Sequence, residues 1–277
     1  MVAVSKGYLV PAADFAGTVH SVFATACNLT VDGRLLTVHD AAAPHTPTSV
    51  RVVSWRPRAR AGGPARCAGG ILTFGEHALD LRALPVWTPP PPPPPAATVP
   101  PAITAAREVA RIRERHVEAR GIPAVPGLAA RAESLLEALT GRPRDVPRAV
   151  AGLVGLGPGL TPSGDDLLVG ALAVLSRAAP GSAFAGSAFP ALAYGVRRHA
   201  HRTTDVGAHY LRLAAAGHFG EPLVNLVDAL VTGAARAAVP ALTQAALRVG
   251  ASSGADGVAG VLLGLRALGS SPDRKAA

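Results

Sequence analysis

The amino-acid order predicts an α+β chain: an N-terminal antiparallel β-sandwich or barrel-like domain, then a mostly helical domain. Three observations carry this. Residues 17–86 break into short runs rich in Val, Leu, Thr and Phe, separated by turn residues. A run of seven prolines, Pro89 to Pro95, interrupts the chain. Beyond it the apolar spacing changes from a strand-like to a helix-like period.

In the first part, Thr18 to Ala24, Leu29 to Val38, Ser49 to Trp55 and Gly70 to Leu81 read as strands, with Asp32-Gly33 as a hairpin turn. Short strands without alternating helices favour an antiparallel sandwich or barrel over a parallel sheet. The β-rich domain is therefore placed at 1–88. The proline run and the later Pro100-Pro101 pair read as a linker or loop at 89–101, stiff in the polyproline II form. A helical domain follows at 102–269. Leu128, Ala132, Leu135, Leu136 and Leu139 form an apolar stripe closed by Gly141. A short helix flanked by Pro143 and Pro147 ends at Gly155. Further helices are expected from Ser163 to Arg177, Pro190 to Arg202, Asp205 to Ala216, Glu221 to Ala238, Pro240 to Val249 and Ser253 to about Leu268. Residues 270–277 are expected to be a disordered tail.

The net charge of +9 comes from scattered Arg, since lysine occurs only at Lys6 and Lys275. Arg107 to Arg120 interleaves five Arg with three Glu, and no basic stripe with aromatics of the base-stacking kind is present. A nucleic-acid partner is not expected. The basic field suits a small anionic substrate. Cys27 and Cys67 form neither a CxxC nor a metal spacing and read as small buried residues of an intracellular protein. The uncharged stretch from Ala178 to Val196, apart from its final neighbours, is interrupted by Pro180 and Pro190 and makes a poor membrane span. A cytoplasmic protein without a membrane partner is expected.

The candidate site is the segment Gly155 to Asp166, GLGPGLTPSGDD, which leads into an apolar helix. It lacks the Lys of a phosphate-binding GxxxxGK[ST] loop, the third Gly of GxGxxG and the spacing of GxSxG. What remains is chemical logic. Gly157, Gly159 and Gly164 shape a turn that exposes backbone amides, and Thr161 and Ser163 add hydroxyls at a positive helix start. Asp165 and Asp166 are the candidate catalytic pair: they can hold Mg²⁺ bridging to a phosphate, or one can act as a general base. Neighbouring helical side chains diverge by about 100°, so the two acids have different tasks.

Ninety residues later the pattern S-G-x-D-x-x-x-G-x-L returns, with Ser253, Gly254 and Asp256 matching Ser163, Gly164 and Asp166. One account is a capping box used twice, in which losing the Ser costs about 0.5–2 kcal/mol. Gly170 and Gly260 then fall inside helices, which suggests close helix packing. If the helices pack together, their N-termini share one anion. Arg202, Thr203 and Thr204 form a further anion contact or, alternatively, a helix junction capped by Thr204 or Asp205. His199 and His201 point apart on a helix and do not make a metal pair.

GLGPGLTPSGDDLLVG, Thr203-Thr204 with Leu211, Ala214 and Gly217, and GASSGAD at 250–256 resemble a bacterial family long known only as a domain of unknown function. The family includes an AllH-like subunit of oxamate carbamoyltransferase from purine (allantoin) catabolism. The resemblance implies a carbamoyltransferase subunit acting with other subunits of a hetero-oligomeric enzyme on oxalurate and phosphate, or oxamate and carbamoyl phosphate. The alternative is a non-catalytic assembly or regulatory subunit whose loop is a structural cap. Gly207 stands where the resemblance leads one to expect Ser, and the proline run is peculiar to this chain.

Overall fold

A computed structural model describes residues 1–56, 58–92, 100–233 and 235–270. Two compact units are present, Met1–Pro89 and Pro90–Ala277.

The first unit is a curled mixed sheet, a half-barrel, with nine strands among the described residues. They are β1 (Val2–Gly7), β2 (Phe15–Val22), β3 (Ala26–Val31), β4 (Arg34–Asp40), β5 (Ser49–Val53), β6 (Pro64–Ala68), β7 (Ile71–Phe74), β8 (His77–Asp80) and β9 (Val86–Trp87). Their order across the sheet is β8-β7-β6-β2-β3-β4-β5-β1-β9. The β4/β5 and β1/β9 pairs run parallel and the others antiparallel. Alternate residues such as Cys27, Leu29 and Val31, or Val50 and Val52, turn into one apolar core. The Asp32-Gly33 turn has positive φ at both residues, as a two-residue hairpin turn requires. Gly75, at φ +55°, splits the strand expected over Gly70 to Leu81 into the β7–β8 hairpin. Cys27 and Cys67 are free and buried, and burial pushes the Cys27 thiol up to about 11.

The second unit is helical: α1 (Pro100–Arg120), α2 (Leu128–Gly141), α3 (Val146–Leu153), α4 (Ser163–Ala178), α5 (Ala183–His199), α6 (Asp205–Ala215), α7 (Glu221–Thr232), α8 (Val239–Leu247) and α9 (Ser253–Gly269). Helix α4 is apolar on nearly every side and packs against α5, α6, α7 and α9. A helix with no polar face belongs at the centre of its domain. No described helix is long and apolar enough to cross a membrane.

Several expectations are corrected. Pro100-Pro101 open α1 instead of belonging to the linker, since proline is tolerated in the first turn of a helix. Pro90 and Pro91 are tied down: their carbonyls accept hydrogen bonds from buried Arg177, which also pairs with Asp228 at 2.5 Å. The rest of the expected linker between 93 and 99, and the tail at 271–277, lie outside the described residues. Helix α2 ends with Gly141 as its last residue and Arg142 as its cap. Pro190 lies inside α5, whose start is capped by the Ser182 hydroxyl receiving Ala185 N–H. Gly233, in the left-handed region at φ +65°, ends α7 well before Ala238.

Candidate functional site

The glycine loop folds back onto the start of α4. Gly155, Gly157 and Gly159 have φ of +76°, +112° and +92°. A Cβ on Gly157 would lie 3.0 Å from the amide nitrogen of Ser163, so the turn is too tight there for a side chain. The loop's own carbonyls serve the helix start. Gly164 N–H donates to Leu156 O at 2.9 Å, and the amides of Asp165 and Asp166 donate to Pro162 O. At α9, Gly254 donates to Val249 O and Asp256 to Ser252 O. The caps are Pro162 and Ser252, neither with a side-chain cap bond. The repeated capping box is thus corrected: backbone carbonyls satisfy the amides, which frees the side chains of Ser163, Asp166, Ser253 and Asp256.

Those freed side chains meet across the two helices. A Cβ on Gly170 would sit 2.0 Å from Gly257 O, and one on Gly260 would sit 2.0 Å from Leu167 O. The contact is reciprocal and backbone to backbone, so α4 and α9 start side by side. Thr161 Oγ1 and Ser253 Oγ are hydrogen-bonded at 2.7 Å. The hydroxyls of Ser253 and Thr161 face the Asp166 carboxyl, and those of Ser163 and Ser252 face Asp256. Each segment's Asp is therefore matched with the other segment's Ser. Burial pushes Asp166 well above the usual carboxylate range; the facing Ser253 hydroxyl opposes this, and the charge of Asp256 adds to it. Burial also raises Asp256, against the pull of Ser163 and of the Arg113 guanidinium. Oδ2 of Asp166 and Oδ2 of Asp256 are both shielded from solvent and have no hydrogen-bond partner among the described residues.

Asp165 points elsewhere and is fully engaged. Its Oδ1 accepts from Gly155 N–H at 2.8 Å and its Oδ2 from the Thr203 hydroxyl at 2.5 Å. Thr204 caps α6 by accepting from Gly207 N–H, and its own hydroxyl donates to Leu160 O. A Cβ on Gly207 would fall 2.4 Å from Asp165 Oδ2, which explains the glycine after the Thr pair. Arg202 is exposed and donates to Ala151 O. The Arg202-Thr203-Thr204 segment forms the helix junction, and the two threonine hydroxyls bond to Asp165 and to Leu160 O of the loop.

For Mg²⁺ the fit is poor at Asp165, whose oxygens already hold the loop. Among the described residues no group of three or more His, Cys, Asp or Glu could hold a metal ion. The amides of Gly157, Gly159, Leu160 and Thr161, on the loop's crest, have no partner among the described residues. Arg113 was not singled out from the sequence, where it is one of five Arg interleaved with three Glu between Arg107 and Arg120. Yet Ala105, Val109 and Ile112 form a buried stripe on α1 that turns Arg113 inward. Its Nε donates to Ala255 O at 2.6 Å beside Asp256, and burial lowers its pKa.

Backbone amides without a protein partner suit an anion, and buried carboxyl oxygens without one suit a proton or another donor. Residues 153–265 match the family described as oxamate carbamoyltransferase subunit AllH, and residues 4–85 match the AllH family N-terminal domain. No solved structure matches the chain.

Proposed function

Because the chain belongs to the family of the oxamate carbamoyltransferase subunit AllH, we propose that it is a subunit of a carbamoyltransferase-type enzyme that binds a small anionic ligand where the glycine loop meets α4 and α9. The family's name points to oxamate and carbamoyl phosphate, formed from oxalurate and phosphate or consumed in reverse. In the forward direction a phosphate oxygen bonds to the carbamoyl carbon of oxalurate. The carbon–nitrogen bond breaks, and the nitrogen takes the proton that phosphate gives up. Both anions suit backbone N–H groups at a helix start with a half-buried guanidinium near.

The observation that carries this reading is the meeting of the two Ser-Gly-x-Asp segments beside a loop with unspent amides. In it Gly157, Gly159 and Thr161 bind the anion, Asp166 and Asp256 face it, and Asp165, Thr203 and Thr204 keep the loop in shape. Other subunits complete the enzyme. A purely structural assembly role is favoured by one feature, the closed Asp165 corner beside Leu160, which is 47% exposed.

Calorimetric titration of the full chain with carbamoyl phosphate and with inorganic phosphate, with and without Mg²⁺, separates the two. Saturable binding that falls at least tenfold in a folded Gly157→Ala variant is expected. A folded chain that binds neither anion would sink the ligand-site reading and leave the assembly role.

A further inference from the structure

We propose that Arg51 and His45 form a pH-sensitive latch on the crossover between β4 and β5, closed while His45 is neutral and opened when it takes a proton.

The crossover is short for its task. Strands β4 and β5 are neighbours and run parallel, so the chain crosses one face of the sheet to join them. Such a connection normally takes about a dozen residues or more, usually with a helix. Here it is made by residues 41–48 alone, which contain no helix. Val38, Val50 and Val52 turn into the apolar core, so His39 and Arg51, paired in register, lie on the other face. Arg51 holds the crossover down over that face. Its Nη1 donates to His45 Nε2 at 2.9 Å, and its Nη2 donates to Ala41 O. Beneath, a Cβ on Gly7 would fall 2.2 Å from Thr46 O, so the crossover rests on the backbone of β1. The His45 ring stacks on Trp87 of β9, with centroids 5.6 Å apart and planes 4° from parallel.

A guanidinium only donates, so His45 Nε2 is the acceptor and the ring's one proton sits on Nδ1. A second proton has to go onto Nε2. It takes the lone pair that Arg51 uses, and it sets an imidazolium against a guanidinium where His45 is only 8% exposed. One proton thus removes the bond and puts repulsion in its place.

The groups around the latch do not compensate. No carboxylate is bonded to Arg51 among the described residues. His39 is 5% exposed, its Nδ1 donates to Asp40 O at 3.0 Å, and its buried Nε2 has no hydrogen-bond partner among the described residues. Burial lowers the His39 pKa; the bond to Asp40 O opposes this and the Arg51 charge adds to it. Asp40, the acid at the start of the crossover, accepts from Ala42 N–H at 2.8 Å. Lys6 pairs with Val50 in register and donates to Leu81 O at 2.9 Å. Tyr8 packs against Trp87 and is raised by burial, so it stays neutral. Histidine is the side chain whose ordinary titration, near pH 6.5, lies in the neutral range. Opening frees the crossover from β5 and unstacks Trp87, which only Thr88 separates from the proline run.

Hydrogen exchange of the full chain tests this, read by mass spectrometry on a peptide covering residues 41–49 at about pH 5.5 and about pH 7.5. Each rate is divided by the intrinsic rate at that pH and referred to residues 26–38 of β3 and β4. Wild type is expected to exchange about tenfold faster at the lower pH, as loss of a hydrogen bond from a charged donor implies. His45→Gln keeps an acceptor for Arg51 but takes no proton, so its crossover is expected to exchange alike at both values. His39→Gln is expected to keep the wild-type response.

A wild-type crossover that exchanges alike at both values overturns the latch. So does an acceleration that survives in folded His45→Gln, or one that vanishes in folded His39→Gln, because the proton then acts elsewhere. Thermal melts establish folding. Should His45→Gln not fold, the wild-type comparison and His39→Gln decide the matter.

Discussion

Two corners of the α4 start, one residue apart in sequence, are built in opposite ways. At Asp165 every polar atom has a use: one oxygen holds Gly155, the other holds Thr203, and Gly207 leaves no room for anything else. At Asp166, across from Asp256, two buried oxygens have no hydrogen-bond partner among the described residues, and burial pushes Asp166 well above the usual carboxylate range. The first corner is what stability selects, since a satisfied buried group contributes and an unsatisfied one costs. The second is tolerable because a carboxyl whose pKa is raised can keep its proton and avoid a buried charge. The difference between the corners shows why adjacent acids should not be assigned one role by proximity. On a helix they look in different directions, and what each meets decides what it does.

The largest expected effect comes from pulling the open corner apart. In Gly260→Ala the new methyl would sit 2.0 Å from Leu167 O and 3.0 Å from the Ala171 amide, so α9 must move away from α4. Backbone cannot give as a side chain would, so the cost should reach or exceed about 3 kcal/mol, the upper end of ordinary overpacking. Chemical denaturation measures it. Near-wild-type stability would mean the two helices do not meet as described, and the paired-acid site would lose its foundation.

Next in size is the closed corner. Asp165→Ala leaves the Gly155 amide and the Thr203 hydroxyl without their acceptor, at a cost of about 1–3 kcal/mol. The same variant, measured where it is still folded, should also bind carbamoyl phosphate more weakly, because the loop loses the contacts that hold its shape. Full stability with abolished binding would make Asp165 a ligand-contacting residue and erase the contrast between the corners.

Much of this was legible in the chain, and the gaps have physical causes. The repeat S-G-x-D-x-x-x-G-x-L located both helix starts, and its inner glycines signalled the close packing of α4 on α9. The Asp32-Gly33 hairpin followed from turn chemistry alone. The error lay in reading Ser and Asp at fixed spacing as a box closed within one helix. Local pattern cannot reveal that loop carbonyls already serve those amides, nor that each Asp turns to the other segment's Ser. Helix α1 was passed over because its charges outweigh a thin stripe of Ala105, Val109 and Ile112. Strands β1, β6 and β9 are too short or too polar to stand out before their neighbours are known. Arg113 becomes part of the site only through a contact 142 residues away in sequence.

The smallest expected effect discriminates most finely, because its sign is the opposite of the usual one. The Asp166 carboxyl is raised in the folded chain above its unfolded value of about 3.9. Above that unfolded value the unfolded chain gives up the proton while the folded chain keeps it, so stability declines as pH rises. The decline continues until the folded carboxyl also ionises and then levels off. Asp165 and Asp256 are raised too and contribute slopes of the same sign. Asp166→Asn removes one of the three contributions. The variant should therefore gain on wild type as pH rises above about 4 and stop gaining once the folded carboxyl ionises, as followed by denaturant midpoints. A variant that instead loses ground as pH rises would show that Asp166 is stabilised as an anion in the free chain. Its oxygens would then be satisfied, and the open corner would be as closed as its neighbour.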